Sequence, residues 1–316
     1  MEFAKKGPLR QRTIHQESFW KFVRKNHALY IMLIPVVMYF LIFKYLPLLG
    51  SVIAFQEYNI FNGLLKSKWV GLYWFELMFS NPYYGKIIWN TLIISLYQIV
   101  FAFPAPIILA CLLNEIRMMT YKRTIQTVLY LPHFLSWTLV YGLAFMLFST
   151  ESGLATAMLK LLEQDAVSIL GVADYFRTVV VSAGIWKEMG WSAIIFLAAL
   201  SGINPSLYEA ATIDGANRWK QFLHVTLPGL LPAIMILLLL KIGNIMDVGF
   251  EQIFIFLTPT TTEVGEVLDT YAYKSGIIGG QYSFTTAIGL FKSVIGFILL
   301  LGANAASKAA TGESLY

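Results

Sequence analysis

Four polar side chains recur at helical spacing within one of the most apolar stretches of the chain, residues 229–257. They are Lys241, Asn244, Asp247 and Glu251. On a continuous helix, at about 100° per residue, the four positions fall within roughly one third of the circumference. Charges inside a membrane span are costly and normally face a cavity or one another, so this stripe is predicted to line a path for a polar molecule. Gly243 and Gly249 flank the stripe and would loosen the helix there.

A second polar group, within residues 178–200, combines charged and aromatic side chains. The group comprises Trp186, Lys187, Glu188 and Trp191. Because they offer hydrogen-bond donors, acceptors and aromatic faces, Trp186, Glu188 and Trp191 are predicted to contribute to the same path. The alternative is a position near a membrane surface, where tryptophan is common.

The sequence contains little evidence of a catalytic site. No H-E-x-x-H or G-x-S-x-G pattern occurs, and an S-x-x-K match at Ser18 to Lys21 lies in a basic tail. The four histidines lack metal-ligand spacing, and the single cysteine, Cys111, lies in an apolar run. No G-x-x-x-x-G-K-[ST] phosphate loop is present. The chain is therefore predicted to be non-catalytic and to hold no cofactor of its own.

The elements that position these residues are predicted to be membrane-spanning helices. Of the 316 residues, 57% are hydrophobic and 13% charged, whereas soluble domains average about 25% charged residues. Six apolar stretches approach the roughly 20 residues that a helix needs to cross a bilayer. They lie at about 28–50, 87–113, 125–149, 178–200, 229–257 and 283–306. An all-α membrane domain is therefore predicted over residues 28–316.

The basic residues predict the orientation of these spans. Thirteen Lys and Arg residues flank the spans on the side of the two termini and six on the other, which places both termini in the cytoplasm. Residues 1–27 form a basic cytoplasmic tail, and ESFWKFVRKNH at 17–27 suits a helix in contact with membrane lipids; a solvated tail is the alternative. Since basic residues are scattered among apolar spans, the net charge of +5 is attributed to topology, and no nucleic acid partner is expected.

The cytoplasmic connection at 201–228 is predicted to form a helix-turn-helix. Asn204 and Pro205 suit the start of a short helix. Asp214-Gly215 permits a turn with positive φ, and a second helix follows from Ala216, with Trp219, Phe222 and Leu223 on one face. The first helix is narrow at Ala210 and Ala211 and carries the carboxylate of Glu209, a shape suited to insertion into a partner. The alternative is that the loop merely covers the helical bundle.

The spacing of this loop resembles a known family motif. Glu209-Ala210-Ala211, three residues, Gly215, nine residues, Val225, one residue and Leu227-Pro228 resemble the EAA motif of the permease subunits of bacterial ABC importers, with Val225 where the family usually has Ile. Further segments resemble the carbohydrate-type permeases, and in particular their oligosaccharide and plant-polysaccharide-fragment branch. These segments are residues 185–216, 130–132, 44–59, 67–75 and 248–256. At Asp247 many relatives have Asn instead.

The resemblance implies a fold, a set of partners and a mechanism. The expected fold is that of a type I ABC importer permease in the bacterial cytoplasmic membrane, with a coupling helix between spans four and five. The residues expected to couple it to an ATPase are Glu209, Ala210, Ala211, Asp214 and Gly215. The expected partners are a second permease, two ATPase subunits that bind ATP and Mg, and an extracytoplasmic substrate-binding lipoprotein that delivers an oligosaccharide for transport by alternating access.

The sequence also allows two other classes of function. An ion-coupled secondary transporter would also use intramembrane charges, but it predicts an inverted internal repeat, and the two halves show no convincing one. A membrane receptor or scaffold that does not transport would leave the ATPase-docking motif without a use.

One further intramembrane charge needs a partner. Lys292, in the last span, is expected to pair with Asp247 or Glu251; contact with an acidic sugar is the alternative.

Overall fold

The computed structural model describes residues 24–149, 153–161 and 169–312. The predicted interfacial helix at 17–27 therefore lies almost wholly outside the described residues. The chain divides into two units, Met1–Val52 and Ile53–Tyr316.

The described part of the first unit is helical except for a turn at Asn26. Helix α1 (His27–Phe40) continues through a π-helical turn at Leu41–Tyr45 into α2 (Leu46–Leu49), and a 3-10 turn at Gly50–Phe55 follows. The whole stretch, His27–Phe55, is 29 residues long and apolar enough to cross a membrane. It contains the predicted first span.

The second unit begins with a short hairpin, in which β1 (Gln56–Glu57) pairs antiparallel with β2 (Lys68–Trp69). Every other regular element in its described part is helical. The helices are α3 (Gly63–Lys66), α4 (Tyr73–Ser80), α5 (Pro82–Tyr97), α6 (Pro104–Asn114), α7 (Met119–Tyr130), α8 (Trp137–Phe148), α9 (Leu154–Leu161), α10 (Ala173–Ser201), α11 (Pro205–Ile213), α12 (Arg218–Gln221), α13 (Leu227–Gly243), α14 (Phe250–Phe256), α15 (Thr262–Gly265), α16 (Leu268–Ala272) and α17 (Tyr282–Thr311).

Several predicted spans correspond to long apolar helices of this unit. π-helical turns at Gln98–Ala102 and Phe222–Thr226 join α5 to α6 and α12 to α13, so each pair forms one continuous helix. Within the described residues, five helices of the chain are long and apolar enough to cross a membrane, or six if one bent pair counts as a span.

That bent pair occupies the third predicted span, residues 125–149, where a straight helix was expected. Met119–Phe134 and Trp137–Phe148 meet at an angle of 104°. The break follows Pro132, which cannot donate a backbone hydrogen bond to the preceding turn. Ser136 then caps the second helix, accepting a hydrogen bond from the Leu139 amide at 3.3 Å.

The fifth predicted span, 229–257, is likewise not one helix. Helix α13 ends at Gly243, residues 244–249 are not helical, and α14 begins at Phe250. Gly249 has φ of +90°, a conformation that an L-residue adopts only with strain. The expectation that Lys241 to Glu251 share one face of a continuous helix is therefore wrong.

Buried apolar side chains hold the helices around these breaks. One cluster includes Ile94 of α5, Phe176 of α10 and Ile253 of α14. Another joins α6, α10 and α13 through Ala110, Ala193 and Leu230. Since α10 contributes to both clusters, it is the element on which the rest of the candidate site is built.

Candidate functional site

A cavity of about 580 Å³, here called the first cavity, lies between the α5–α6 helix, α10 and the end of α13. Its polar lining residues are Gln98, Glu188, Ser192, Lys241, Asn244, Asp247 and Gln252. Phe103, Phe196 and Leu237 are among its apolar lining residues. Four predicted path residues, Glu188, Lys241, Asn244 and Asp247, therefore surround one space, although they do so across a broken helix.

Two glutamine side chains hold the broken fifth span against neighbouring helices. Lys241 Nζ donates a hydrogen bond to Gln98 Oε1 at 2.9 Å, and Gln98 Nε2 donates to the Val248 carbonyl at 3.0 Å. Gln252 Nε2 donates to the Val180 carbonyl at 2.6 Å. Gln98 and Gln252 were not predicted as path residues from the sequence. Amide groups inside apolar stretches were the available signal, because a buried polar group must be hydrogen-bonded.

Glu188 belongs to a compact polar cluster at the break between α7 and α8. Its carboxylate lies 2.7 Å from His133 Nδ1 and 3.1 Å from Lys187 Nζ, and Lys187 Nζ also donates to the His133 carbonyl at 2.6 Å. The Lys187 residue is only 6% exposed, and its ammonium lies 5.4 Å from the centre of the Trp137 ring. Both charged residues lie near the middle of the 29-residue helix α10, not at its ends.

The structure does not bring Trp186, Trp191 and Glu251 to the lining of the first cavity. Trp186 lies about 200° around the helix from Glu188, and it lines a separate, mostly apolar cavity of about 630 Å³. Trp191 is stacked on the His133 ring, with centroids 4.6 Å apart. Glu251 lies beyond the helix break, in the first turn of α14.

Lys292 has a different partner from the two that were predicted. Its ammonium is bonded to Asp269 on α16, not to Asp247 or Glu251. Asp269 lies in the connection between the last two predicted spans, and spacing within the spans gives no indication that this connection folds back onto α17.

The connection 201–228 forms the predicted helix-turn-helix. Asn204 Oδ1 accepts from the Ser206 amide at 3.0 Å to start α11, and Gly215 has φ of +75° at the turn. The second helix starts at Arg218, two residues later than predicted, with Asn217 Oδ1 accepting from the Lys220 amide at 2.9 Å. It then runs without interruption into α13, so the turn is joined directly to the wall of the first cavity.

Side-chain contacts brace this segment from within while its outer face stays exposed. Tyr208 and Thr226 hydroxyls lie 3.0 Å apart, Gln221 Nε2 donates to Thr212 Oγ1 at 3.0 Å, and Arg218 is paired with Glu115. Residues Glu209, Ala210, Asp214 and Gly215 are exposed, and Ala211 is half-buried. Ile213 is 87% exposed, which provides an apolar contact point at the tip.

The family of the chain follows from this architecture and from comparison with known proteins. A family model described as the inner membrane component of binding-protein-dependent transport systems matches residues 102–310. The chain belongs to this family, whose members are non-catalytic permease subunits of ABC transporters in the membrane.

Individual relatives are similar over nearly their whole length. The protein LplB of Bacillus subtilis (strain 168) is 44% identical over 95% of this chain and 94% of its own length. The polygalacturonan/rhamnogalacturonan transport system permease protein YteP of the same organism is 43% identical, covering 91% and 90%. A chain from the crystal structure of a bacterial alginate ABC transporter, in complex with alginate pentasaccharide-bound periplasmic protein, is 38% identical. That chain superposes with a TM-score of 0.87 over 95% of this chain and 100% of its own.

Proposed function

We propose that this chain forms half of the membrane pathway of an ATP-driven importer of oligosaccharides. The observation that carries the proposal is the first cavity, in which an ammonium, carboxylates and amides are held around a space within a membrane helix bundle. Sugars present many hydroxyl groups, and a site that binds them needs mixed donors and acceptors of this kind. The similarity to permeases for polygalacturonan and alginate supports an oligosaccharide as the cargo.

The proposal assigns different roles to the two walls of the first cavity. Lys241 and Asn244 supply donors and Asp247 supplies acceptors from the broken fifth span. Glu188 faces them from α10, with its carboxylate paired with the Lys187 ammonium and in contact with His133 Nδ1. Because a hydroxyl can both donate and accept, a sugar ring between these walls would satisfy groups on both sides.

The exposed helix-turn-helix is proposed to couple the pathway to ATP hydrolysis. Glu209, Ala210, Ala211, Asp214 and Gly215 would contact an ATPase subunit that binds ATP and Mg. This requires both termini and residues 201–228 in the cytoplasm, as the excess of basic residues predicts, with six spans in total. The complete importer would also contain a second permease, a second ATPase subunit and an extracytoplasmic binding protein, and it would work by alternating access.

Membership of a binding-protein-dependent family favours this function over the two alternatives. A secondary transporter would draw on an ion gradient and needs no binding protein. A receptor without transport would have no use for a braced, exposed helix-turn-helix that is continuous with a cavity wall.

Uptake into vesicles that contain the whole complex tests the proposal. Binding protein loaded with oligogalacturonides or alginate oligosaccharides is added outside, with ATP present or absent inside. We expect uptake only with ATP, loss of uptake in Glu209→Lys, and normal uptake in Glu76→Lys, a matched exposed carboxylate on α4. Uptake driven by a proton or sodium gradient without ATP would contradict the proposal.

A further inference from the structure

A second cavity, of about 380 Å³, adjoins the first cavity at Asn244 and Asp247, which line both. Its remaining walls come from the end of α13, from the 244–249 segment, and from α16 and α17. The wall residues from α16 and α17 are Asp269, Ala272, Thr285, Ile288, Lys292 and Ser293, with Gly289 between them. The broken fifth span therefore separates two neighbouring spaces and presents the same two polar side chains to each.

The second cavity contains an ion pair whose hydrogen-bonding capacity is only partly used. Lys292 and Asp269 are bonded to each other, and their side chains are 18% and 20% exposed. An ammonium has three N–H donors, so Lys292 retains donors beyond this bond. Asp269 Oδ2 is buried and accepts no hydrogen bond from any residue that the structure describes.

Hydroxyl groups on α17 add acceptors to the same wall. Ser293 Oγ donates to the Gly289 carbonyl at 2.9 Å, and Thr285 Oγ1 donates to the Ala272 carbonyl at 3.4 Å. Each hydroxyl oxygen is thereby oriented with lone pairs remaining. If the Lys292–Asp269 pair served only to join α16 to α17, the second cavity beside it would not need polar groups from three segments of the chain.

We propose that the second cavity is an additional saccharide subsite, which takes the third ring of an oligosaccharide whose first two rings occupy the first cavity. This inference rests on the proposed function and adds a chain-length preference to it. Both volumes fall within the range of about 300–1,000 Å³ that is usual for small-ligand pockets. Asn244 and Asp247 lie at the junction, where they would contact the glycosidic linkage. The ligand class is a hydroxyl-rich pyranose or furanose ring.

Cysteine labelling of the assembled complex tests occupancy of the two cavities separately. Cys111 is the only cysteine in the chain, so a Cys111→Ser background allows one new thiol at a time. Ser192→Cys reports on the first cavity and Ser293→Cys on the second. Maleimide labelling of this chain is measured by mass spectrometry, with the disaccharide to the pentasaccharide of each series used above. We expect the disaccharide to protect Ser192→Cys alone, and longer chains to protect both.

The outcomes separate this inference from the proposed function. Protection of Ser192→Cys at every length without protection of Ser293→Cys would overturn the second subsite and leave the importer intact. Equal protection of both positions by the disaccharide would overturn a separate subsite. No protection of either position by any series would contradict the oligosaccharide pathway itself.

A paired substitution tests the ion pair directly. Asp269→Asn combined with Lys292→Gln removes both charges, so that neither charge is left buried without its partner. We expect kcat/KM for the tetrasaccharide to fall about tenfold relative to the disaccharide. Lys86→Gln with Glu263→Gln is the matched control, because this pair lies outside both cavities and is 47% and 72% exposed. An unchanged tetrasaccharide-to-disaccharide ratio in the first variant would overturn the role of the pair, and the labelling result stands even if that variant fails to assemble.

Discussion

Gly190 of α10 lies directly against the backbone of Leu129 in α7: a Cβ atom placed on Gly190 would lie 2.0 Å from the Leu129 carbonyl oxygen. The backbone contact brings α10 close to the break between α7 and α8. His133 and Glu188 meet at 2.7 Å beside it. The polar cluster at the break therefore depends on a position where only hydrogen fits.

Gly190→Ala should destabilise the protein, because its methyl group would meet backbone atoms that cannot rotate away. Overpacking of this kind costs about 1–3 kcal/mol. Thermal unfolding of the detergent-solubilised complex measures the effect. Gly142→Ala on α8 is the matched control, since a Cβ there meets no atom within 4 Å. Equal melting temperatures for the two variants would contradict the close contact.

Glu188→Gln should destabilise the protein by about 2 kcal/mol, because the buried Lys187 then loses its carboxylate partner. Lys187→Met combined with Glu188→Gln should recover part of this loss, since no unpaired charge remains. A double-mutant cycle on the free energy of unfolding gives the coupling energy between the two residues. Additive effects would show that they do not interact.

Gly215→Val should uncouple ATP hydrolysis from uptake or prevent assembly with the ATPase. A Cβ at Gly215 meets no atom within 4 Å, so the effect comes from the φ of +75°, which costs an L-residue about 1–2 kcal/mol. Gly215→Asn is the control, because Asn adopts this conformation more readily. The measurement is the ratio of oligosaccharide transported to ATP hydrolysed. A normal ratio in the Val variant would argue against a coupling role for the turn.

Tyr271 should make the stability of the protein fall at alkaline pH. Burial raises the pKa of the Tyr271 phenol above its ordinary value, and its hydroxyl donates to that of Tyr84 at 3.3 Å. In the unfolded chain the phenol ionises at a pKa near 10, so its contribution is complete below about pH 10 and is lost as the pH rises toward the folded pKa.

Melting temperatures between pH 8 and 11 test this dependence. The melting temperature of Tyr271→Phe should decrease less with rising pH than that of the unchanged protein. Tyr73→Phe, which alters an exposed tyrosine, should show the same decrease as the unchanged protein. If the melting temperatures of both variants decrease equally as the pH rises, the pH dependence comes from groups other than Tyr271.

Much of the helical architecture could be predicted because a bilayer demands about 20 apolar residues per crossing. The predicted stretches at 178–200 and 283–306 lie within α10 and α17. The breaks at 131–136 and 244–249 were not predicted, since hydropathy is similar on both sides of each break. Gly249 marked the second break, but a glycine alone does not distinguish a loosened helix from an interrupted one.

The sequence predicted the residue types of the candidate site better than their arrangement in space. Lys241, Asn244 and Asp247 line one cavity, but they do so around a chain break and not along one helix face. Trp186 could have been excluded by spacing, because two residues along a helix place it nearly opposite Glu188. Contacts such as Gln98 with Lys241 join positions far apart in the chain, and no local pattern indicates them.

Helix α10 contains no proline and no π-helical turn along its 29 residues. It lines the first cavity at six positions from Val181 to Phe196 and ends at Ser201, just before α11. At 1.5 Å per residue, Gly184 lies about 25 Å from the Ser201 end. Such a helix moves as a rigid body. A tilt of about 5° about its Ser201 end would displace the cavity wall at Gly184 by about 2 Å. Displacements comparable to an atomic radius could thus open or close a sugar-sized space without any change in the internal structure of α10.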